Sequence, residues 1–370
     1  MMEYRYSSGM EENMIKILLG GSPCTNWSIA QKNNRETEPN GIGYELFKNF
    51  VTAKEKYEPN YFLYENNKSI APAIKERISK DLGVELQYIN SSLVSAQNRQ
   101  RFYCHNIPNV PQPEDKGILL KDIIESGAEW QEKAYCLTST YNGAVVRNAL
   151  EKKQRTMIAQ PVRLGHFNKG GQGDRIYSVF GKSICLSANG GGRGAKTGLC
   201  AVPVDKSFSG WPVYEVANGI ITIKDKQHKI KLPDGYYVIR KLTILECKRL
   251  QTVPDNYIMP CSATQNYKML GNGWTVDVIA HILSHIPSLQ NEDIEVLSMY
   301  DGMSCGQIAL QKLSVNVVKY YATEIDKYAI QTTMANFPNT VQLGDAFQVR
   351  NEAGSFKQKG AFAPFVCTYF

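Results

Sequence analysis

The chain has 370 residues, 43% of them apolar, with 42 Lys and Arg against 35 Asp and Glu and a net charge of +7, enough for one large domain or two smaller ones with a substantial core. No run approaches the roughly 18 consecutive apolar residues of a membrane span, and residues 1–10 lack the order of a secretory signal, so a soluble, cytoplasmic protein is expected. The nine cysteines, spread from Cys24 to Cys367, form no C-x-x-C pair and no close Cys/His cluster, which argues against a disulfide framework or a structural zinc site.

Apolar patterning predicts a buried strand at Ile15–Leu19, a helix at Tyr44–Lys56, a strand at Tyr61–Tyr64, a helix at Ala71–Leu82 with Ile74 and Ile78 on one face, and a strand at Val84–Ile89. This is the alternation of a largely parallel sheet with helices on both faces. Past Pro108 the character changes. Pro111 and Pro113 open a stretch with ten glycines between Gly165 and Gly198 and short β-like pieces at Arg175–Phe180 and Gly219–Lys224. Residues 110–238 therefore read as a separate, irregular, β-rich domain inserted between residues 1–109 and residues 239–370. Helical periodicity resumes at Leu242–Leu250 and Val276–His285. A polar link, Ser288–Asp293, leads to strands at Glu295–Tyr300, Val317–Ala322 and Thr340–Leu343 and helices at Gly306–Leu313 and Lys327–Phe337. The sheet is expected to be assembled from both ends of the chain, with the strand after Glu295 beside Ile15–Leu19.

Charge is unevenly placed. From Lys133 to Val238 sixteen Lys and Arg face six Asp and Glu, so the rest of the chain is net acidic and the insert carries a footprint suited to a polyanion. His281 and His285 stand at i, i+4 on a predicted helix, but no H-E-x-x-H pattern surrounds them and they read as packing or surface residues.

Two groups of residues carry chemistry. Gly20-Gly21-Ser22-Pro23-Cys24 follows a buried strand directly and sets a thiol at the carboxyl edge of the sheet. Glu65-Asn66 ends the neighbouring strand, and Gln97-x-Arg99-x-Arg101 supplies two guanidinium groups. In the C-terminal unit Asp301, Gly302 and Gly306 lie where a strand turns into a helix, Glu324 follows the next strand where an acid commonly bonds ribose hydroxyls, and Gly344-Asp345 closes the third.

With Leu242-Thr243, Glu246, Arg249-Leu-Gln251, Pro254-Asp255 and Gly271-Asn272-Gly273, these residues resemble the motif set of the cytosine-5 DNA methyltransferases over about two-thirds of the chain. The surroundings of Pro23-Cys24 and Asp301-Gly302 are similar to the de novo enzymes of animals and to phage relatives. The order differs from most of the family, with catalytic half first and cofactor half last, which implies a circular permutation. The resemblance implies a doubly wound, mixed seven-stranded Rossmann-like sheet, with the insert as a smaller β-rich target-recognition domain. It also implies an enzyme that uses S-adenosylmethionine and no metal and acts on double-stranded DNA in a bacterial or phage-infected cell. By resemblance Cys24 is the nucleophile, Glu65 holds the cytosine ring, Arg101 its carbonyl oxygen and Arg99 a phosphate. Tyr300, Asp301, Gly302, Met303, Gly306, Glu324, Ile325 and Asp345, with Asn272 and Trp274, border the cofactor. Residues 26–43 form a loop able to close over a flipped base, and Arg175, Arg193 and Lys196 contact DNA from the insert. Cytosine methylation in RNA, a silent DNA-binding regulator and a nicotinamide oxidoreductase are the alternatives. The sequence leaves open whether a restriction endonuclease accompanies the chain and whether copies of it associate.

Overall fold

The computed structural model describes residues 14–27, 35–123, 125 and 243–351, together with short segments between 163 and 240. In chain order the elements are β1 (Met14–Gly20), α1 (Ile42–Tyr57), β2 (Tyr61–Asn67), α2 (Pro72–Leu82), β3 (Gln87–Asn90), β4 (Gln97–Asn98) and β5 (Gln100–His105). Eight short strands follow: β6 (Arg163–His166), β7 (Arg175–Ser178), β8 (Ser183–Ile184), β9 (Leu199–Pro203), β10 (Val213–Ala217), β11 (Ile220–Ile223), β12 (Lys226–Lys229) and β13 (Gly235–Arg240). The chain continues with α3 (Ile244–Leu250), α4 (Ala263–Asn272), α5 (Val276–Leu283), β14 (Asp293–Met299), α6 (Cys305–Lys312), β15 (Val317–Thr323), α7 (Lys327–Asn336) and β16 (Val341–Gly344). Among the described residues no helix is long and apolar enough to cross a membrane.

Two compact units are formed, one from residues 1–89, 101–112 and 278–370, the other from residues 90–100 and 113–277. The first holds a seven-stranded sheet in the order β16-β15-β14-β1-β2-β5-β3. Its central pair comes from opposite ends of the chain: β1 runs parallel to β14 in continuous register from Met14 opposite Asp293 to Gly20 opposite Met299, as expected from the sequence. β2, β15 and β16 extend the parallel set, and β5 enters antiparallel to β2.

α1 forms because Tyr44, Phe47, Phe50, Ala53 and Tyr57 recur at helical spacing and are all buried, while its last turn carries Lys54 and Lys56, cations suited to the helix C-terminus. The rings of Phe47 and Phe50 pack on Tyr64, and burying each of those phenylalanines contributes about 2–3 kcal/mol. Space under α1 is tight at Gly20, where a Cβ would sit 2.6 Å from the Phe50 ring. α2 begins at Pro72, buries Ile74, Ile78 and Leu82, and stops at Gly83 in the left-handed region, as the apolar spacing predicts.

The second unit contains another seven-stranded sheet, in the order β12-β11-β10-β13-β9-β7-β6, and a small parallel pair of β4 with β8. Its pairings are antiparallel except β7 with β9. This unit runs on to Asp277, beyond the boundary at 238 read from composition, because α3 and α4 belong to it. α3 is fixed by a reciprocal cap: the Thr243 hydroxyl accepts from the Glu246 N–H at 3.1 Å, and the Glu246 carboxylate accepts from the Thr243 N–H at 2.8 Å. Arg249 grips both carboxylate oxygens of Asp255, with its shortest contact at 2.6 Å.

Candidate active site

Five parallel strands end on one edge of the first unit's sheet. Taken across the sheet, those ends carry Asp345 after β16, Glu324 and Ile325 after β15, Tyr300 to Gly302 after β14, Cys24 after β1, and Glu65 near the end of β2. From the centre, β1 leads through α1 to β2 on one side and β14 leads through α6 to β15 on the other. The winding therefore reverses between β1 and β14, and ligands of doubly wound sheets bind beyond the carboxyl ends at such a reversal.

The turn before Cys24 is held by buried polar groups. The hydroxyls of Ser22 and Tyr64 share a hydrogen bond of 2.7 Å, and the Asn66 amide donates to the Ser22 carbonyl at 3.0 Å and to the Tyr64 hydroxyl at 2.9 Å. Burial pushes the Tyr64 hydroxyl far above its ordinary pKa, so it stays neutral and can act as a donor. Asn66 thus has a definite task, fixing the loop that presents the thiol; its place beside Glu65 was visible in the sequence, but this role was not. Cys24 is half-buried, and its carbonyl accepts the Trp27 N–H at 3.0 Å.

Beside it the register sets Glu65 opposite Tyr103 and Asn67 opposite Arg101, so Glu65 and Arg101 share a face. Arg101 Nε donates to Glu65 Oε1 at 2.9 Å, with only 12% and 10% of the two side chains exposed. A carboxylate so enclosed is held by that partner, with the guanidinium oriented beside it.

Arg99, expected at a phosphate, is buried among backbone carbonyls. It belongs to the second unit, is 3% exposed, and donates to the carbonyls of Gly273 at 2.9 Å and Gly271 at 3.4 Å. Gln97 is likewise buried and donates to Gln251 at 2.8 Å and to the Leu250 carbonyl. Gln251 in turn donates to the carbonyls of Leu270 at 2.6 Å and Gly273 at 3.1 Å. Much of the Gln-x-Arg and Arg-Leu-Gln pattern is therefore the internal bracing of the second unit, around the Gly271-Asn272-Gly273 turn. In that turn Asn272 is the exposed last residue of α4, and Trp274 just beyond is half-buried.

At the cofactor end the backbone is unusual: Tyr300, Gly302 and Ser304 all take left-handed φ, at 60°, 59° and 59°. For Tyr300 and Ser304 this conformation is costly and must be held by partners. The Tyr300 N–H donates to the Thr323 hydroxyl at 3.0 Å, and its own hydroxyl donates to the Leu46 carbonyl at 2.8 Å and accepts from Asn49 at 2.9 Å. Glu324 closes the turn, accepting from Gly302 N–H at 2.8 Å, Ile325 N–H at 2.7 Å and Asp326 N–H at 2.8 Å. A carboxylate has about four acceptor sites, so one on Oε2 remains to receive a ligand hydroxyl.

Asp301 accepts from the Tyr320 hydroxyl at 2.8 Å through Oδ1, while Oδ2 is enclosed with no hydrogen-bond partner among the described residues. Burial, and to a lesser degree the Glu324 charge, pushes its carboxyl up to about 6, against the pull of neighbouring hydroxyls.

The residues fit a nucleoside-bearing cofactor. A Cβ at Gly302 would meet nothing within 4 Å, Asp345 is exposed on its strand end, and Ile325 offers an apolar side chain that is 73% exposed. Met303, by contrast, has a buried side chain, 1% exposed. Gly306 lies in the first turn of α6, also buried.

Of the residues expected on DNA, Arg175 lies half-buried on β7, while Arg193 and Lys196 lie outside the described residues. So does 28–34 of the expected closing loop. His281 Nε2 bonds the Pro111 carbonyl at 2.9 Å and His285 Nδ1 the His281 carbonyl at 2.8 Å, which gives both histidines structural partners.

Residues 4–288 match the family described as C-5 cytosine-specific DNA methylase. Type II methyltransferase M.HhaI of Haemophilus parahaemolyticus is 30% identical over 74% of this chain and 76% of its own length. Type II methyltransferase M.HpaII of Haemophilus parainfluenzae is 28% identical over 71% and 69%, and the orphan methyltransferase M.SPRI of Bacillus phage SPR is 23% identical over 73% and 82%. With a family match over most of its length and relatives covered over more than two-thirds of theirs, the chain belongs to the C-5 cytosine-specific DNA methylases, which transfer a methyl group from S-adenosylmethionine to DNA.

Proposed function

We propose that the chain methylates C5 of a cytosine flipped out of double-stranded DNA, through a covalent bond from Cys24 to C6 of the base. The observation that carries this reading is the order of groups along the carboxyl edge, with Asp345 and Glu324 at one end, the Tyr300–Gly302 turn between, and Cys24 and Glu65 at the other. Cytosine C5 is too weak a nucleophile to take a methyl group unaided. The Cys24 sulfur forms a bond to C6, and the C5–C6 electron pair becomes available at C5. Glu65, taking up a proton from solvent as the base binds, passes it toward N3, where negative charge develops, and Arg101 bonds the O2 oxygen. When bound, S-adenosylmethionine supplies an electrophilic methyl group on a positively charged sulfur. After transfer a base takes the C5 proton, the pair returns to the ring, and Cys24 leaves as thiolate.

For the methyl donor, Glu324 receives a ribose hydroxyl, Asp345 the adenine amine, and Ile325 covers the adenine face. Asn272 and Trp274 are assigned to the cofactor by resemblance alone. The second unit's β-rich part reads the target, with Arg175, Arg193 and Lys196 among its contacts; drawing the base out costs a few kcal/mol that such contacts offset. We take the chain to be circularly permuted. Two observations support this: the family match stops at residue 288, and the next strand, β14, pairs with β1.

The test uses duplex DNA whose target cytosine carries fluorine at C5. With S-adenosylmethionine present, methyl transfer leaves no removable proton, so the protein stays bonded to DNA through denaturation. Cys24→Ser should abolish that adduct. Its survival undiminished in Cys24→Ser would show that another residue is the nucleophile.

A further inference from the structure

The turn that carries Cys24 is not anchored by its own strand alone. Trp27, fully buried, donates its backbone N–H to the Cys24 carbonyl at 3.0 Å and its indole Nε1 to Glu36 Oε2 at 3.0 Å. The same Glu36 carboxylate accepts the Gly43 N–H, at 3.1 Å to Oε2 and 3.3 Å to Oε1. Gly43 lies in the first turn of α1, whose N-cap, Gly41, has no side chain to offer. Glu36 therefore caps α1 from outside, satisfying an amide that the helix leaves open and placing a negative charge at its positive end. The surroundings are built around this contact: a Cβ at Gly41 would collide with the Glu36 carboxylate, and one at Gly43 with the Trp27 indole nitrogen. Backbone contacts close the bracket, with the Glu36 N–H on the Asn26 carbonyl at 2.9 Å and Arg35 Nε on the Trp27 carbonyl at 3.1 Å. Arg35 also reaches the Ser69 carbonyl just after β2, at 2.7 Å.

We propose that Glu36 is a positioning residue for Cys24, acting through the Trp27 indole to lock the thiol's turn to the first turn of α1. This rests on the reading of Cys24 as the nucleophile. α1 is also the helix to which the cofactor turn is tied, through the Tyr300 hydroxyl on Leu46 and Asn49. One helix thus sets both the thiol at its N-terminal end and the cofactor turn at its middle. A nucleophile misplaced by about 1 Å can lose on the order of 100-fold in rate.

Single-turnover methyl transfer and S-adenosylmethionine affinity are to be measured on the full chain for Glu36→Ala, Glu36→Gln and Trp27→Phe. Glu36→Ala should slow methyl transfer and formation of the fluorocytosine adduct by roughly 100-fold, with cofactor Kd changed less than about twofold. Glu36→Gln, whose amide oxygen can still accept from Trp27 and Gly43, should recover most of the rate. Trp27→Phe should reproduce the loss, and Trp27→Phe/Glu36→Ala should add little to either single change. Parallel losses of rate and cofactor affinity in Glu36→Ala would mean that the residue merely holds α1 together, and an unchanged rate would overturn the proposal outright. Failure of the Cys24 reading shows differently: the adduct then persists in Cys24→Ser whatever the Glu36 variants do.

Discussion

Asp301 gives the enzyme a pH dependence that can be worked out in advance. Its carboxyl titrates near 6 in the folded chain against 3.8 in its ordinary state, because burial penalises the charged form. A raised carboxyl pKa means that the folded state holds its proton more tightly than the unfolded one. The resulting stability is complete below about pH 3.8 and is lost as pH rises through about 6. A difference of about two pKa units corresponds to about 3 kcal/mol, of which about 2 kcal/mol falls between about pH 4.5 and 7.5. Asp301→Asn keeps an oxygen for the Tyr320 hydroxyl but cannot ionise, so its stability should lack this component. Urea denaturation of both proteins without cofactor, at a series of pH values, gives the comparison. Any fixed cost of the amide shifts the curves apart by a constant. Their separation should change by about 2 kcal/mol in favour of the variant as pH rises. Curves that stay parallel across the range would refute the buried, raised carboxyl.

Arg101→Ala strands Glu65 as an enclosed carboxylate and should lower stability by about 3–5 kcal/mol as well as blocking methyl transfer; adding Glu65→Gln should restore much of the stability and none of the activity. Equal denaturation midpoints for wild type and Arg101→Ala would argue against the ion pair. Arg99→Ala removes donors from the Gly271 and Gly273 carbonyls, so a loss of about 1–3 kcal/mol in stability is expected, with the slope of DNA affinity against salt unchanged. A slope reduced by about one unit would restore Arg99 to the phosphate.

The sheet was readable because its strands and helices keep clean periods. β1, α1, β2 and α2 follow from runs such as Ile17-Leu18-Leu19 and the stripe Ile74, Ile78, Leu82. α4 escaped because Thr264, Asn266, Gly271 and Asn272 dilute its apolar face; it is held by burial of Met269 and Leu270 and by Gln251 on the Leu270 carbonyl. The strand read at Val84–Ile89 is shorter and later, Gln87–Asn90, since Gly83 ends α2 in a left-handed turn from which the chain needs several residues to reach the sheet. At Gln97–Arg101, spacing alone does not tell the surroundings of the two arginines apart. β4 pairs with β8 while β5 pairs with β2, so the chain passes between units there and the two guanidinium groups join separate networks. Trp27 and Glu36 carry no pattern in sequence, because their contact depends on how the chain returns to α1.

The pairing of β1 with β14 also dictates how the chain can be made. These strands form the middle of the sheet yet lie about 280 residues apart in sequence, so the mean separation of contacting residues is high and folding of this unit should be slow. On a ribosome β1 and β2 emerge first, and β1 waits with one edge unpaired until Asp293–Met299 has been synthesised. At about 5–20 residues per second, that interval lasts on the order of tens of seconds. During it an apolar strand with open backbone groups is available to other chains. Yield during synthesis should therefore depend on temperature and on chaperones that shield extended segments, and a chain truncated before β14 should aggregate rather than bind DNA.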